Sequence, residues 1–433
     1  MDLNLLRNNI YNSILELATE DGINASGKDD VYGCIFGRDS AITILKILKA
    51  TQNQVAASEF DVNSLHEICK RALLNLVSLQ GARTNIESGE EPGKFIHEYR
   101  KDNYERLMTL DIKPWYIYPD KVLRNYDSLD STPLALIAIY KYWKITKDNE
   151  FLLSVFPGVE KGLNWIITYG DRDKDQLVEY ELPKERNCGG LVVQSWTDSR
   201  ESMLNDKGEF PLYPIAPVEV QGYTWLALKL WADFYTDPSI NIAKTESFAA
   251  KLNNQASQMK EQFNKMFLFE DEGYIFPAQA LDGYKNQIRT VTGNPLLLLW
   301  SSYNNESILE NKYIADLVSR SFMDDMFVPD AGIRTMSAKA KTYDSTFNSY
   351  HNGSFWPKLN GMSHEGLMNF GFEEKASELK NATIAPILHF QSPIELYVKD
   401  DLEKYLLYKN PQGQESCRQQ AWSAAAAFDL LTL

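Results

Sequence analysis

The chain has 433 residues, 44% of them hydrophobic and 24% charged, an ordinary globular composition. Its formal net charge of −15, with no block of Lys or Arg to offset it, argues against a nucleic-acid partner, because phosphates would be repelled. Neutral ligands such as sugars remain compatible with that surface, and the 9 Trp, 23 Tyr and 20 Phe supply the flat faces on which sugar rings stack.

The chain opens on MDLNLLRNNIYNSILEL, an amphipathic helix with no long apolar core, and so not a secretory signal. No window reaches about 18 uninterrupted apolar residues, so no membrane span is expected. Helical periodicity continues through segments at 3–19, 39–51, 62–80, 131–146, 150–169, 215–236, 244–267, 293–302, 307–322, 354–371, 373–386 and 417–431, about twelve helices in all. Strand-like runs are few; LVVQSW (191–196) and EGYIFPA (272–278) are short and sit in loops. Cys34, Cys69, Cys188 and Cys417 are scattered, without C-x-x-C or a His at metal spacing. Reduced thiols in a cytoplasmic protein, with no metal and no organic cofactor, are the expectation.

The connections alternate in length. Those at about 20–38, 81–130, 170–214, 268–292, 323–353 and 387–416 are long, and long ordered loops usually carry function. Every second connection of an antiparallel helical array emerges on one side, so six long loops gather at one end. The second, sixth, eighth, tenth and twelfth segments are apolar on more than one face, as buried helices are. The expected fold is all-α: an (α/α)6 toroid of six helical hairpins, one domain over 1–433, with the long loops forming a cup. A superhelical stack of helix pairs would need a repeat of about 34–45 residues, and none is visible.

The loops carry the chemistry. FGRDSAIT (36–43) places Arg38 and Asp39 at a helix start, where Asp is also a common cap; together they can donate to and accept from vicinal hydroxyls. The second loop offers Lys94, Glu98 and Asp130. The third holds LVVQSWTDSRES (191–202), an aromatic plate, Trp196, two residues before a carboxyl group, Asp198. Before it runs DRDKDQLVEY (171–180), which looks like the start of a calcium loop. It has Gln176 where Gly is wanted and Leu182 where a bidentate Glu is wanted, so no metal is expected there. The fifth loop ends YHNGSFWP, with His351, Asn352 and Trp356 in one turn, and the sixth places Glu395 in an apolar setting.

FGRDS, EEPGK-x-x-HE, DSLDSTP, WTDS, PIAPVEVQGY, YHNGSFWP, the Glu of PIEL and a final C-x-x-QAW occur in order. This set resembles the amylo-α-1,6-glucosidase family, the glucosidase part of glycogen debranching enzymes and its bacterial and archaeal relatives, and more remotely glucoamylases. The resemblance implies an (α/α)6 toroid and an inverting glycoside hydrolase. It implies Asp198 as general acid, Glu395 as general base, and Arg38 and Asp39 as the grip on the terminal sugar. The segment after Glu395, LYVKDD, departs from the family, as does the lack of a preceding β-rich domain and of a transferase half.

Inversion requires one protonated carboxyl group and one carboxylate that activates water, roughly 6.5–9.5 Å apart. The expected substrate is a neutral oligosaccharide or polysaccharide, an α-1,6-linked glucose stub of glycogen or a relative. Two other classes fit the same toroid: a sugar isomerase or epimerase using His351 or His389 as base, and a non-catalytic carbohydrate binder.

Overall fold

A computed structural model describes residues 3–108, 113–205, 207–237, 246–400 and 404–433. The helices among them are α1 (Leu3–Leu17), α2 (Gly37–Ala50), α3 (Gln54–Glu59), α4 (Val62–Ser78), α5 (Ser131–Thr146), α6 (Asn149–Trp165) and α7 (Val218–Thr236). They continue as α8 (Glu246–Met266), α9 (Leu297–Trp300), α10 (Ile314–Ser321), α11 (Pro357–Asn369), α12 (Glu373–Phe390) and α13 (Ala421–Thr432). The first two residues of the expected 244–267 segment lie outside the described residues.

Burial divides the helices into two kinds. In α1 only Leu6, Ile10, Ile14 and Leu17 are buried, one stripe at helical spacing. In α2 every residue except Lys49 is buried, and in α13 every residue except Leu431. Helices α5, α7, α9 and α11 are likewise buried on several faces. These all-round apolar helices pack in sequence: α2 on α5, α5 on α7, α7 on α9, α9 on α11, α11 on α13, and α13 back on α2. The striped helices lie outside them, with α1 against α13, α4 and α6 against α5, α8 against α7, and α12 against α11.

The fold is mostly helical but not purely so. Among the described residues, six small sheets of two or three strands lie between the helices. In one, Glu98–Arg100 pairs with Ile35–Phe36 on one side and Leu123–Asn125 on the other, tying the second long loop to the first. Residues 191–196 form no strand, whereas Tyr274–Pro277 pairs with Leu268–Asp271.

Several segments differ from the periodic reading for identifiable reasons. The helix expected at 307–322 begins late because the Asn264 side chain donates to Ile308 O at 2.7 Å and accepts from Glu310 N at 2.9 Å, holding 307–310 extended. The segment at 215–236 starts at Val218, because Ala216–Pro217 pairs as a strand with Ala280–Leu281. Helix α11 starts at Pro357, whose missing N–H suits a first turn. The short α3 was not expected.

At the C-terminal half of α2 the ammonium of Lys46, 1% exposed, pairs with Asp429 of α13 and with Glu365 of α11 at 3.1 Å, and donates to Gly361 O at 3.3 Å. It ties three neighbouring helices through one charge. Breaking a buried pair from one side leaves the other charges uncompensated, at about 3–5 kcal/mol. Lys46→Met is therefore expected to lower the stability read from urea unfolding by that amount. A midpoint of unfolding equal to wild type would contradict the pairing.

Candidate active site

The site begins where α2 begins. Gly37 follows the short strand Ile35–Phe36, and a Cβ there would meet Ile96 O at 2.0 Å, so only glycine permits the second loop to pass this closely. The next two residues, Arg38 and Asp39, emerge on the first turn of α2, both at least nine-tenths buried. Gln420 and Trp422 come from the start of α13, and Trp356 is the residue before α11. Three helix N-termini thus border one pocket, and their positive ends favour the carboxylates gathered there.

That pocket is lined by Tyr32, Phe36, Arg38, Asp39, Trp196, Asp198, Tyr350, His351, Trp356, Glu395, Gln420 and Trp422. Asp198 and Glu395, far apart in sequence and carried on different loops, share it.

Arg38 organises the side of the pocket that carries Asp198. Its Nε donates to Asp130 Oδ2 at 2.7 Å, and its Nη1 to Asp198 Oδ2 at 3.2 Å. Asp130 is fully buried, whereas the Asp198 side chain keeps 27% of its surface open. Burial raises the Asp198 carboxyl to about 6, with Arg38 pulling it down and Asp130 pushing it up. The loop behind it is fixed by Trp196, whose indole N–H donates to Asn294 Oδ1 at 3.0 Å.

Glu395 is held from two sides. Tyr350 OH donates to its Oε1 at 2.8 Å and Cys417 N–H to its Oε2 at 2.9 Å, while Tyr32 OH lies 3.1 Å from Tyr350 OH. Both donors favour the carboxylate, but burial outweighs them, and the group sits at about 7, with Asp198 adding repulsion. Asp39 is likewise raised to about 7, by burial first and against Arg38; Gln420 Nε2 donates to its Oδ1 at 3.3 Å.

Of the residues singled out by sequence, Arg38, Asp39, Trp196, Asp198, His351, Trp356 and Glu395 line the pocket, and Lys94, Glu98, Asp130 and Asn352 do not. Lys94 Nζ points to Gly89 O at 3.4 Å and the ring of Trp165 at 5.6 Å. Glu98 lies in the three-stranded sheet and is taken up by Arg100. Asn352 spends its amide on Thr342 O, at 3.0 Å, inside its own loop. Asp130 supports Arg38 from beneath.

Tyr32, Phe36, Tyr350, Gln420 and Trp422 line the pocket without having been singled out. Four of them fall inside the motifs FGRDS, YHNGSFWP and C-x-x-QAW; Tyr32 had no local signal. His351 is buried, stacked on Trp356 with centroids 4.9 Å apart, and its Nδ1 accepts from Ser199 N at 3.4 Å. Burial, Arg38 and Lys358 hold it well below the usual histidine range, so it is neutral. His389 is exposed, against Phe390 and Tyr405, and lies outside the pocket.

The acidic run at 171–180 is paired by a lysine from the fourth long loop. Lys285 Nζ lies 2.6 Å from Asp173, 2.7 Å from Asp175 and 2.9 Å from Glu179. Oxygens of Asp171, Asp173 and Glu179 lie within 4.8 Å of one another, and a lysine ammonium sits among these acids.

Proteins of known structure share this architecture. Mannosylglycerate hydrolase of family GH63 from Thermus thermophilus, in complex with Tris, superposes with a TM-score of 0.64 at 13% identity, over 98% of this chain and 99% of that one. A metal-independent alpha mannosidase from Streptococcus pneumoniae, in a non-productive complex with alpha-1,6-mannobiose, gives 0.60 at 13% identity over 98% and 92%. A rhamnosidase from Klebsiella oxytoca with rhamnose bound gives 0.59 at 12% identity over 98% and 63%. No curated protein sequence matches the chain. No helix among the described residues is long and apolar enough to cross a membrane. The family model for amylo-alpha-1,6-glucosidase matches residues 116–429, and that match, over most of the chain, makes it a member of the amylo-alpha-1,6-glucosidase family and a glycoside hydrolase.

Proposed function

We propose that this protein is an inverting exo-glucosidase that removes a terminal α-linked glucose, with an α-1,6-linked stub of glycogen or a related oligosaccharide as substrate. One observation carries the reading: Asp198 and Glu395 share a single aromatic pocket with the Arg38–Asp39 pair. The fold proposed for it is an (α/α)6 toroid forming one domain, supported by the closed cycle of helix contacts from α2 through α13. Cytoplasmic residence fits Cys34, Cys69, Cys188 and Cys417, all of which are free thiols.

In this mechanism Asp198 protonates the glycosidic oxygen while Glu395 takes a proton from water on the opposite face of the ring. The C1–O bond to the leaving group breaks as the bond from water to C1 forms. Arg38 and Asp39 hold hydroxyls of the terminal sugar, and Trp196 and Trp356 supply apolar wall. Burial brings both carboxyl groups near neutrality, where one can donate a proton and the other accept one. The isomerase reading is the weaker one: His351 is stacked on an indole, its Nδ1 is taken up by Ser199 N–H and burial makes it a weak base, and His389 lies outside the pocket.

Asp198→Asn and Glu395→Gln are each expected to lower kcat by at least about 10³-fold on the preferred member of a panel of isomaltose, panose, maltotriose, a branched limit dextrin and small glucosides. Near-full activity in either variant would remove that residue from its role. Binding without turnover by wild type would favour the carbohydrate-binder reading.

With Asp198 at about 6 and Glu395 at about 7, kcat/KM is expected to trace a bell with its maximum between pH 6 and 7. Because the base, Glu395, lies above the acid, Asp198, its ionisation sets the alkaline limb; Tyr350→Phe deletes a donor to the ionised form of Glu395, so that limb is expected to move to higher pH, by roughly half a unit to one unit, and the maximum to fall. An unmoved limb would separate Glu395 from the base role.

A further inference from the structure

Lys358, the second residue of α11, lies behind the pocket wall, and the mechanism above makes no use of it. It is fully buried, and among the described residues its Nζ has no hydrogen-bond partner. It is held against aromatic faces instead, 3.7 Å from the centroid of the Trp196 ring and 5.2 Å from that of Trp422. Both rings also line the sugar pocket. An ammonium stripped of water and given only ring faces costs stability, and an apolar chain of similar length would pack there without that cost.

The charged groups that feel it are Arg38 and Asp39 on α2, Asp130 before α5 and Glu219 on α7. Arg38 is committed to Asp130 and Asp198. Lys358 is the second cation acting on Asp39, and it lowers that carboxyl's proton affinity. Its own ammonium is pushed down to about 7 by burial and by Arg38, so its charge is itself sensitive near neutrality.

We propose that Lys358 is a positioning residue for the terminal sugar: its ammonium, seated on the Trp196 ring, fixes that indole from behind and adds to Arg38 a second positive charge acting on Asp39. Asp39 then remains a hydrogen-bond acceptor for sugar hydroxyls, and Trp196 presents one fixed face to the ring. The proposal rests on the sugar-pocket reading above.

Lys358→Met and Lys358→Arg in the full chain test it, with thermal unfolding and pH-dependent kinetics on isomaltose and p-nitrophenyl α-D-glucopyranoside. Lys358→Met is expected to keep or raise the melting temperature, raise KM at least 10-fold, lower plateau kcat less than 3-fold, and move the acid limb of kcat/KM up by about half a pH unit. Lys358→Arg is expected to restore the limb and part of KM. A melting temperature that falls while KM and the limb stay put would show a purely structural lysine and overturn the proposal. So would an Arg variant indistinguishable from the Met variant. A wild type that turns over neither compound would overturn the functional reading and this inference with it; an active wild type with an unchanged Met variant overturns this inference alone.

Discussion

The guanidinium of Arg38 is the constraint on which the site depends. It is 2% exposed and bonds Asp130 at 2.7 Å and Asp198 at 3.2 Å. A buried guanidinium must be paired, and its planar fork fixes where the paired carboxylates lie. One partner precedes α5 and the other sits on the third long loop, so a single side chain on α2 joins three separate parts of the chain. Asp130 anchors the charge from below; Asp198, partly open, is the carboxyl left facing the pocket. Taking away Arg38 would leave Asp198 without its cation and bury Asp130 without a counter-charge.

The proton chemistry follows from dryness. Burial is the largest cause of the raised Asp198, Asp39 and Glu395 carboxyl groups, ahead of any single neighbour. The specific partners then differentiate them: Arg38 pulls Asp198 down, whereas Glu395 has only neutral donors, Tyr350 and the Cys417 amide, and stays higher. The closely packed indoles of Trp196, Trp356 and Trp422 bury the surrounding carboxyl groups and so do electrostatic work as well as offering apolar wall.

Much of this was legible in the sequence because it depends on local pattern. All-round apolar segments such as PLLLLW and AWSAAAAFDLLTL do become buried helices, and the long connections and the helix starts after them supply the residues that line the pocket. The parts that escaped depend on tertiary contacts. Nothing near residue 308 announces that Asn264 will hold its backbone out of a helix. Lys94 and Glu98 are polar residues of a long loop, but sheet pairing and Trp165 turn them away from the pocket. Tyr32 reaches Tyr350 across more than 300 residues of chain, a meeting no spacing rule can foresee. Lys285 entering the acidic run is of the same kind: the run alone looks like half of an ion site, and its counter-cation arrives from another loop.

The stereochemistry of the first product molecule reports directly on whether Asp198 and Glu395 act from opposite faces of one sugar. Proton NMR of the earliest glucose released from an α-glucoside by wild-type protein is predicted to show the β-anomer appearing first, with the α-anomer growing in only through mutarotation. Initial release of the α-anomer would contradict the account, because it would require a covalent intermediate on one of these carboxylates instead of direct attack by water.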